Sequence, residues 1–249
     1  GIGRVVSSYI DQLQKLDTTN TYYIYTPHNI DSKILQNTKW KNIFFFSKKT
    51  KHSNLRVKFY FFFFNFFFSI LARKHALDIL VITNPNAYPL YPINKKTKIV
   101  SIVYDSVWKL FPETMPSLNR RIMKLTALKK NEISSQVITI SESVSNELRE
   151  LLHCQSSITT IPLAADPNIF YPSKNNSEII VKYNISKKYI LSVCTLEPRK
   201  NIISLFKAFS KLRDKDQYQL VLVGKLGWGS ENYYSIIKEL EIDSNIQIT

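Results

Sequence analysis

Between Leu77 and Leu240, short β-type apolar runs alternate with longer segments whose apolar residues recur at helical spacing. No other feature limits the fold as tightly. Leu77 to Thr83, Lys98 to Tyr104, Gln136 to Ile140 and Ser157 to Ile161 are expected strands, as are Tyr189 to Thr195 and Tyr218 to Val223. Between them, Leu118 to Ser134, a segment capped by Ser141 and running to about Leu152, Ile202 to Leu212 and Tyr233 to Leu240 are expected helices. Strand–helix alternation of this kind builds parallel sheets covered by helices, so the fold class is α/β and doubly wound. A helix over residues 4–16, opened by a glycine turn at Gly1 and Gly3, and β-type runs at Thr21 to Thr26 (closed by Pro27) and Ile43 to Phe46 precede this region. A loop with Pro162, Pro167 and Pro172 marks the best boundary, giving domains at 1–165 and 166–249. The chain opens at Gly1 and stops in the strand-like run Ile246 to Thr249, so it is read as a fragment whose second domain is incomplete.

The formal net charge of +15 favours anionic partners: nucleic acid, acidic lipid headgroups or a phosphorylated substrate. It does not choose among them. Cys154 and Cys194 lie far apart, and the four histidines are scattered, so no metal-ligand spacing exists and packing thiols are expected. The run Phe59 to Phe68, nine aromatic residues around Asn65, is too short for a membrane span even with the apolar residues after it. A buried helix is the first expectation. An interfacial membrane helix is the alternative, because basic residues flank the run on both sides.

The chemistry concentrates at Tyr189 to Asn201, where a buried-type strand runs into a turn and a helix begins. Open α/β sheets bind ligands at the C-terminal ends of their strands, and a helix N-terminus is a ready anion site. Arg199 and Lys200 oppose the helix dipole there, at about 0.3–1 kcal/mol each unless an anion compensates. A bound diphosphate would reverse that sign. A solvated basic pair remains the plain alternative.

Thr195-Leu-Glu-Pro-Arg-Lys-Asn201 resembles the donor loop of the large family 4 of retaining glycosyltransferases, which have the two-domain GT-B fold. Other segments follow in the family's order. Gly1-Ile-Gly-Arg4 resembles its N-terminal glycine loop. Val103-Tyr-Asp105 with Phe111-Pro-Glu113 resembles its His-Asp segment, Thr139-Ile-Ser-Glu142 a helix-opening Ser-Glu, and Ile161 to Asp166 the interdomain linker. Val221-Leu-Val-Gly-Lys225 with Gly227-Trp228 resembles the next strand and its glycine turn.

The resemblance implies a hexosyltransferase of polysaccharide or lipopolysaccharide synthesis. Such an enzyme would use a nucleoside-diphosphate sugar of GDP-mannose type, a glycan or lipid-linked acceptor, and no metal or other cofactor. It implies that Lys200 pairs with the donor diphosphate while Arg199 supports it, with Tyr104 and Asp105 also at the catalytic centre. Gly1, Gly3, Arg4, Thr195, Glu197, Gly224 and Lys225 would line the donor and phosphate site. For Gly1 and Gly3 a helix-opening turn is the alternative, for Arg4 solvent, and for Gly224 and Lys225 an ordinary turn.

Three departures stand out. Tyr104 replaces a His that contacts the donor sugar in the family, and a phenol cannot titrate near neutral pH. Ala164 replaces a linker glycine, and Cys194 stands where glycine is common. The family's paired glutamates would fall beyond Thr249. The expected location is cytoplasmic, with peripheral attachment to the inner face of the membrane through the basic helix and the Phe-rich run. The competing readings are a basic non-enzymatic module for nucleic acid or membrane, and an inactive relic. The sequence lacks the basic–aromatic interleaving of a stacking platform for nucleic acid.

Overall fold

The computed structural model describes residues 2–28, 40–46, 54–172 and 177–249. Gly1, placed by resemblance in the donor site, lies outside them. The chain divides into two compact units. One comprises Gly1–Pro112 with Pro116–Ala164, the other Glu113–Met115 with Ala165–Thr249.

The first unit begins with α1 (Ile2–Leu16), then β1 (Tyr22–His28) and β2 (Trp40–Phe46), which pair in parallel. Gly3 lies inside the first turn of α1 rather than in a loop before it. Pro27 does not end β1. The pairing steps over it from Thr26–Phe44 to His28–Phe46, as a residue without an N–H requires. Helix α2 (Asn54–Lys74) then leads to β3 (Ile79–Ile82), β4 (Lys98–Val103), the short α3 (Val107–Leu110), α4 (Ser117–Ile133), β5 (Gln136–Thr139), α5 (Glu142–Leu152) and β6 (Ser157–Thr160).

Strands β3 to β6 form one parallel sheet in sequence order, so their C-terminal ends share an edge. The Ser141 hydroxyl caps α5 by accepting the Val144 N–H at 3.3 Å, and His153 closes the helix in a left-handed conformation. Phe68, Leu80, Ile82, Ala87 and Ile99 make one core cluster, and Val137, Val144 and Leu148 another.

The Phe-rich helix α2 buries one face through Asn65, Phe68, Ser69 and Ala72. Its opposite face is not buried: Phe62 is 61% exposed and Phe67 is also open. The expected buried helix is therefore half realised. No described helix is long and apolar enough to cross a membrane.

The second unit holds α6 (Ser177–Lys182), β7 (Lys188–Val193), α7 (Ile202–Ser210), β8 (Tyr218–Val223), α8 (Tyr233–Glu239) and β9 (Ile246–Ile248). Its parallel sheet has the order β7-β8-β9. The central strand is buried on both faces through Leu220, Val221 and Leu222. Leu196, Ile202, Phe206, Phe209, Tyr233, Ile237 and Ile242 complete the core with it. A fully buried Leu or Phe stabilises by roughly 1.5–3 kcal/mol, so this cluster fixes where the loops at the strand ends sit. Strand β7 is different. It is an outer strand with Tyr189, Ile190, Leu191 and Val193 exposed, so apolar side chains show on both of its faces.

Candidate functional site

In the second unit, the turn after β7 and the turn after β8 are laced together by backbone hydrogen bonds. The Cys194 N–H donates to the Val223 carbonyl at 3.0 Å, the Leu196 N–H to Lys225 at 2.9 Å, and the Gly227 N–H back to Leu196 at 2.9 Å. Leu196 and Leu226 pair as an isolated parallel bridge. The buried Leu196 side chain pins this lacing into the core.

Gly224 permits the approach. Its φ is +149°, and a Cβ there would lie 1.9 Å from the Cys194 carbonyl oxygen. No other residue type fits. Gly229, at φ +71°, lies against the Pro198 ring, where a Cβ would come within 2.7 Å of Cγ.

Beyond Leu196, Glu197 is extended and opens a 3-10 turn over Pro198–Lys200. Asn201 then adopts a left-handed conformation (φ 53°, ψ 39°) and starts α7, with no side-chain cap. The expected helix start near Asn201 is where the structure has it. Arg199 and Lys200 occupy the tight turn that precedes the helix rather than its first turn.

Arg199 donates to Glu197 Oε1 through Nη2 at 2.7 Å and Nε at 3.2 Å. Glu197 thus neutralises Arg199 and orients it. Lys200 is exposed and makes no ion pair with any described residue. Lys225 and Thr195 are exposed on the laced turns. This corner can hold an anion: one free ammonium, one oriented guanidinium and the N-terminus of a nine-residue helix lie within a few residues of one another.

Tyr104 and Asp105 belong to the first unit, directly after β4. Asp105 is exposed and accepts the Val107 N–H at 3.3 Å. The Tyr104 hydroxyl is buried with no hydrogen-bond partner among the described residues. Burial, and then the neighbouring Tyr9 of α1, push its pKa up to about 12. It is a neutral donor throughout the physiological range. Gly3 has open space where a Cβ would stand, and Arg4 is exposed on α1.

Four buried polar side chains escaped the sequence reading. They hold the loop that follows β3 at the C-terminal edge of the sheet. Asn65 Oδ1 accepts the Tyr88 N–H at 2.8 Å, and Asn65 Nδ2 donates to the Asn86 carbonyl at 3.3 Å. Ser69 Oγ accepts the Leu90 N–H at 3.0 Å. Thr126 Oγ1 and Lys130 Nζ donate to the Pro85 carbonyl at 2.9 and 2.7 Å, and Lys130 also reaches Asn84 at 3.4 Å. Lys130 is only 5% exposed, and burial lowers its pKa to about 8. In a helix with four other lysines and arginines it reads as solvated. Its i+4 spacing from Thr126 was the available signal.

Residues 175–249 match the model of the Glycosyl transferases group 1 family. The chain is 26% identical over 155 residues to an O-antigen chain mannosyltransferase B of Escherichia coli, covering 59% of this chain and 40% of the relative. Sucrose-phosphate synthase of Thermosynechococcus elongatus superposes with a TM-score of 0.72 at 14% identity, over 100% of this chain and 65% of that one. WaaG, a glycosyltransferase involved in lipopolysaccharide biosynthesis, gives a TM-score of 0.65 at 14% identity over 100% of this chain and 66% of that one. HepE of Anabaena, solved with UDP and glucose, gives 0.61 at 14% identity over 96% and 64%. These likenesses show the GT-B fold over the length that the chain spans. The aligned stretch is 40% of the curated relative, and the chain spans about two thirds of the structural neighbours.

Proposed function

We propose, on the premise that residues 175–249 carry a group 1 glycosyltransferase domain, that the whole protein transfers a hexose with retention from a nucleoside-diphosphate sugar. The acceptor is a glycan or a lipid-linked glycan of polysaccharide or lipopolysaccharide synthesis. The donor is of GDP-mannose type, in keeping with the mannosyltransferase relative. HepE, a neighbour in fold, was solved with UDP and glucose, and WaaG acts in lipopolysaccharide biosynthesis.

One observation carries the reading. Lys200 is an exposed cation without an ion pair among the described residues, on a turn fixed to a buried parallel sheet and leading into a helix N-terminus. As the bond from the sugar to the diphosphate breaks, negative charge grows on the phosphate oxygens. A cation already in place stabilises that charge without reorganising. Arg199, oriented by Glu197, adds a planar donor beside it, and Lys225 a third cation. The reading assigns the neutralisation to side chains, with no resident metal ion or cofactor. In the first unit, Tyr104 supplies a neutral hydroxyl and Asp105 an exposed carboxylate at the C-terminal sheet edge, beside the pinned loop 84–90.

The test is thermal stabilisation of the protein by GDP and UDP. A shift with at least one of them, lost in Lys200→Ala, supports the assignment. An equal shift in the variant removes Lys200 from the diphosphate site.

A cytoplasmic protein resting on the inner face of the membrane completes the proposal. Two surface features support it. Phe62 stacks on Phe66, which meets Tyr91 edge-on at 6.1 Å, and the Arg73 guanidinium lies 5.9 Å over the Tyr91 ring. On α4, Leu125 is 64% exposed among Arg121, Lys124, Leu128 and Lys129. Apolar side chains rimmed by cations suit an anionic lipid surface, where lipid-linked acceptors are presented.

A further inference from the structure

The chain has three tryptophans, and two of them are buried: Trp40 is 7% and Trp108 6% exposed. Trp228, at 40% exposed, stands out on the turn after β8. Lone exposed aromatics are ordinary on a protein surface. The setting of this one is not.

Both of its neighbours touch the turn that bears Arg199 and Lys200. A Cβ on Gly227 would meet Thr195 Cγ2, Leu196 O and Glu197 Cβ at 3.1 Å each, and Gly229 abuts Pro198. The turn is also held from beneath. The buried Ser230 hydroxyl donates to the Gly227 carbonyl at 2.7 Å, and the Gly229 N–H donates to Glu231 Oε1 at 3.3 Å. Trp228 takes no part in the core of this unit, where Leu196, Phe206 and Tyr233 pack together, with Phe206 edge-on to Tyr233 at 5.7 Å. An exposed indole therefore stands on a turn packed against the one that bears Arg199 and Lys200.

A nucleoside diphosphate carries the matching pair of features, a flat base at one end and a dense anion at the other. We infer that Trp228 is the stacking platform for the base of the donor nucleotide, while Lys200 takes the diphosphate. The inference rests on the nucleotide-sugar reading and adds a residue and a specificity to it. Stacking is tolerant of base identity because every base has a π-face, but a purine covers more of an indole than a pyrimidine does. The platform therefore favours GDP over UDP.

Calorimetric titration of the wild type, Trp228→Phe and Trp228→Ala with GDP, UDP and inorganic pyrophosphate tests this. GDP should quench tryptophan emission in the wild type, since Trp228 is the exposed indole. Trp228→Ala should weaken GDP about ten-fold or more and UDP less, Trp228→Phe should hold GDP within about three-fold, and pyrophosphate, which has no base, should bind all three alike. If Trp228→Ala binds GDP as the wild type does, Trp228 is not the platform, and the nucleotide-sugar reading stands without it. If Trp228→Ala loses pyrophosphate together with GDP, the residue only shapes the turn and the inference fails. If the wild type binds none of the three, the nucleotide-sugar reading itself falls and takes the inference with it.

Discussion

Lys130 should make the first unit more stable as the pH rises above 8, the reverse of what an ordinary lysine does. Its ammonium is buried against the carbonyls of Asn84 and Pro85. Burial lowers its folded pKa to about 8, from 10.5. A base with a lowered folded value binds its proton more weakly in the folded state. The unfolded chain therefore holds more protons between these two values, and stability rises with pH across that window. Below pH 8 the buried charge costs about 3 kcal/mol relative to the neutral amine. From roughly pH 7.5 to roughly pH 9.5 about 2 kcal/mol of this is recovered.

Lys130→Met removes the titration while keeping the volume. It also takes the lysine donor away from the Asn84 and Pro85 carbonyls, of which Pro85 keeps Thr126, at a cost of about 1–3 kcal/mol. The two genotypes should therefore be close in stability near neutral pH and diverge above it, with the wild type gaining. Urea unfolding followed by Trp40 and Trp108 fluorescence in a Trp228→Phe background reports on the first unit, which contains both indoles. Taking the difference between genotypes cancels the titration of other lysines and tyrosines. A difference that stays flat from pH 7.5 to 9.5 would refute the buried-cation account.

Gly224→Ala should destabilise the second unit by about 3 kcal/mol or more, since it combines a strained φ with a Cβ driven into the Cys194 carbonyl. Urea denaturation checks it, and a loss below about 1 kcal/mol would contradict the geometry. Replacing Phe62 and Phe67 with serine should reduce co-sedimentation with vesicles rich in anionic phospholipid at low salt, with little change in folding because both side chains are exposed. If the wild type fails to sediment with such vesicles, the membrane proposal is lost.

The main frame was legible because it depends on local patterns. Strand–helix alternation located every strand from β3 to β8, and Ser141 announced its helix through a side chain that can accept an N–H. What escaped depends on partners distant in sequence. Helix α6 has six residues and exposed apolar side chains, so neither length nor periodicity marks it. Pro27 reads as a stop, yet a partner strand let β1 run through it. Lys130 looks like its solvated neighbours until the loop after β3 closes over it. At the candidate site, the motif Thr195 to Asn201 located the turn. The Arg199–Glu197 pair and the packing of Gly229 on Pro198 depend on two turns meeting across a sheet, and no spacing in the chain encodes that.

The bared flanks of β7 have a practical outcome. Among the described residues no strand pairs with its outer rim, and greasy side chains project above and below, with charge only at its Lys187–Lys188 end. Such a ribbon is adhesive, and another molecule's extended segment can zip onto it. Because β7 runs straight into Cys194 and Thr195, whatever settles along that rim also braces the root of the cation-bearing turn. Crowded preparations of the 249-residue chain are therefore expected to clump at the strand nearest to its chemistry.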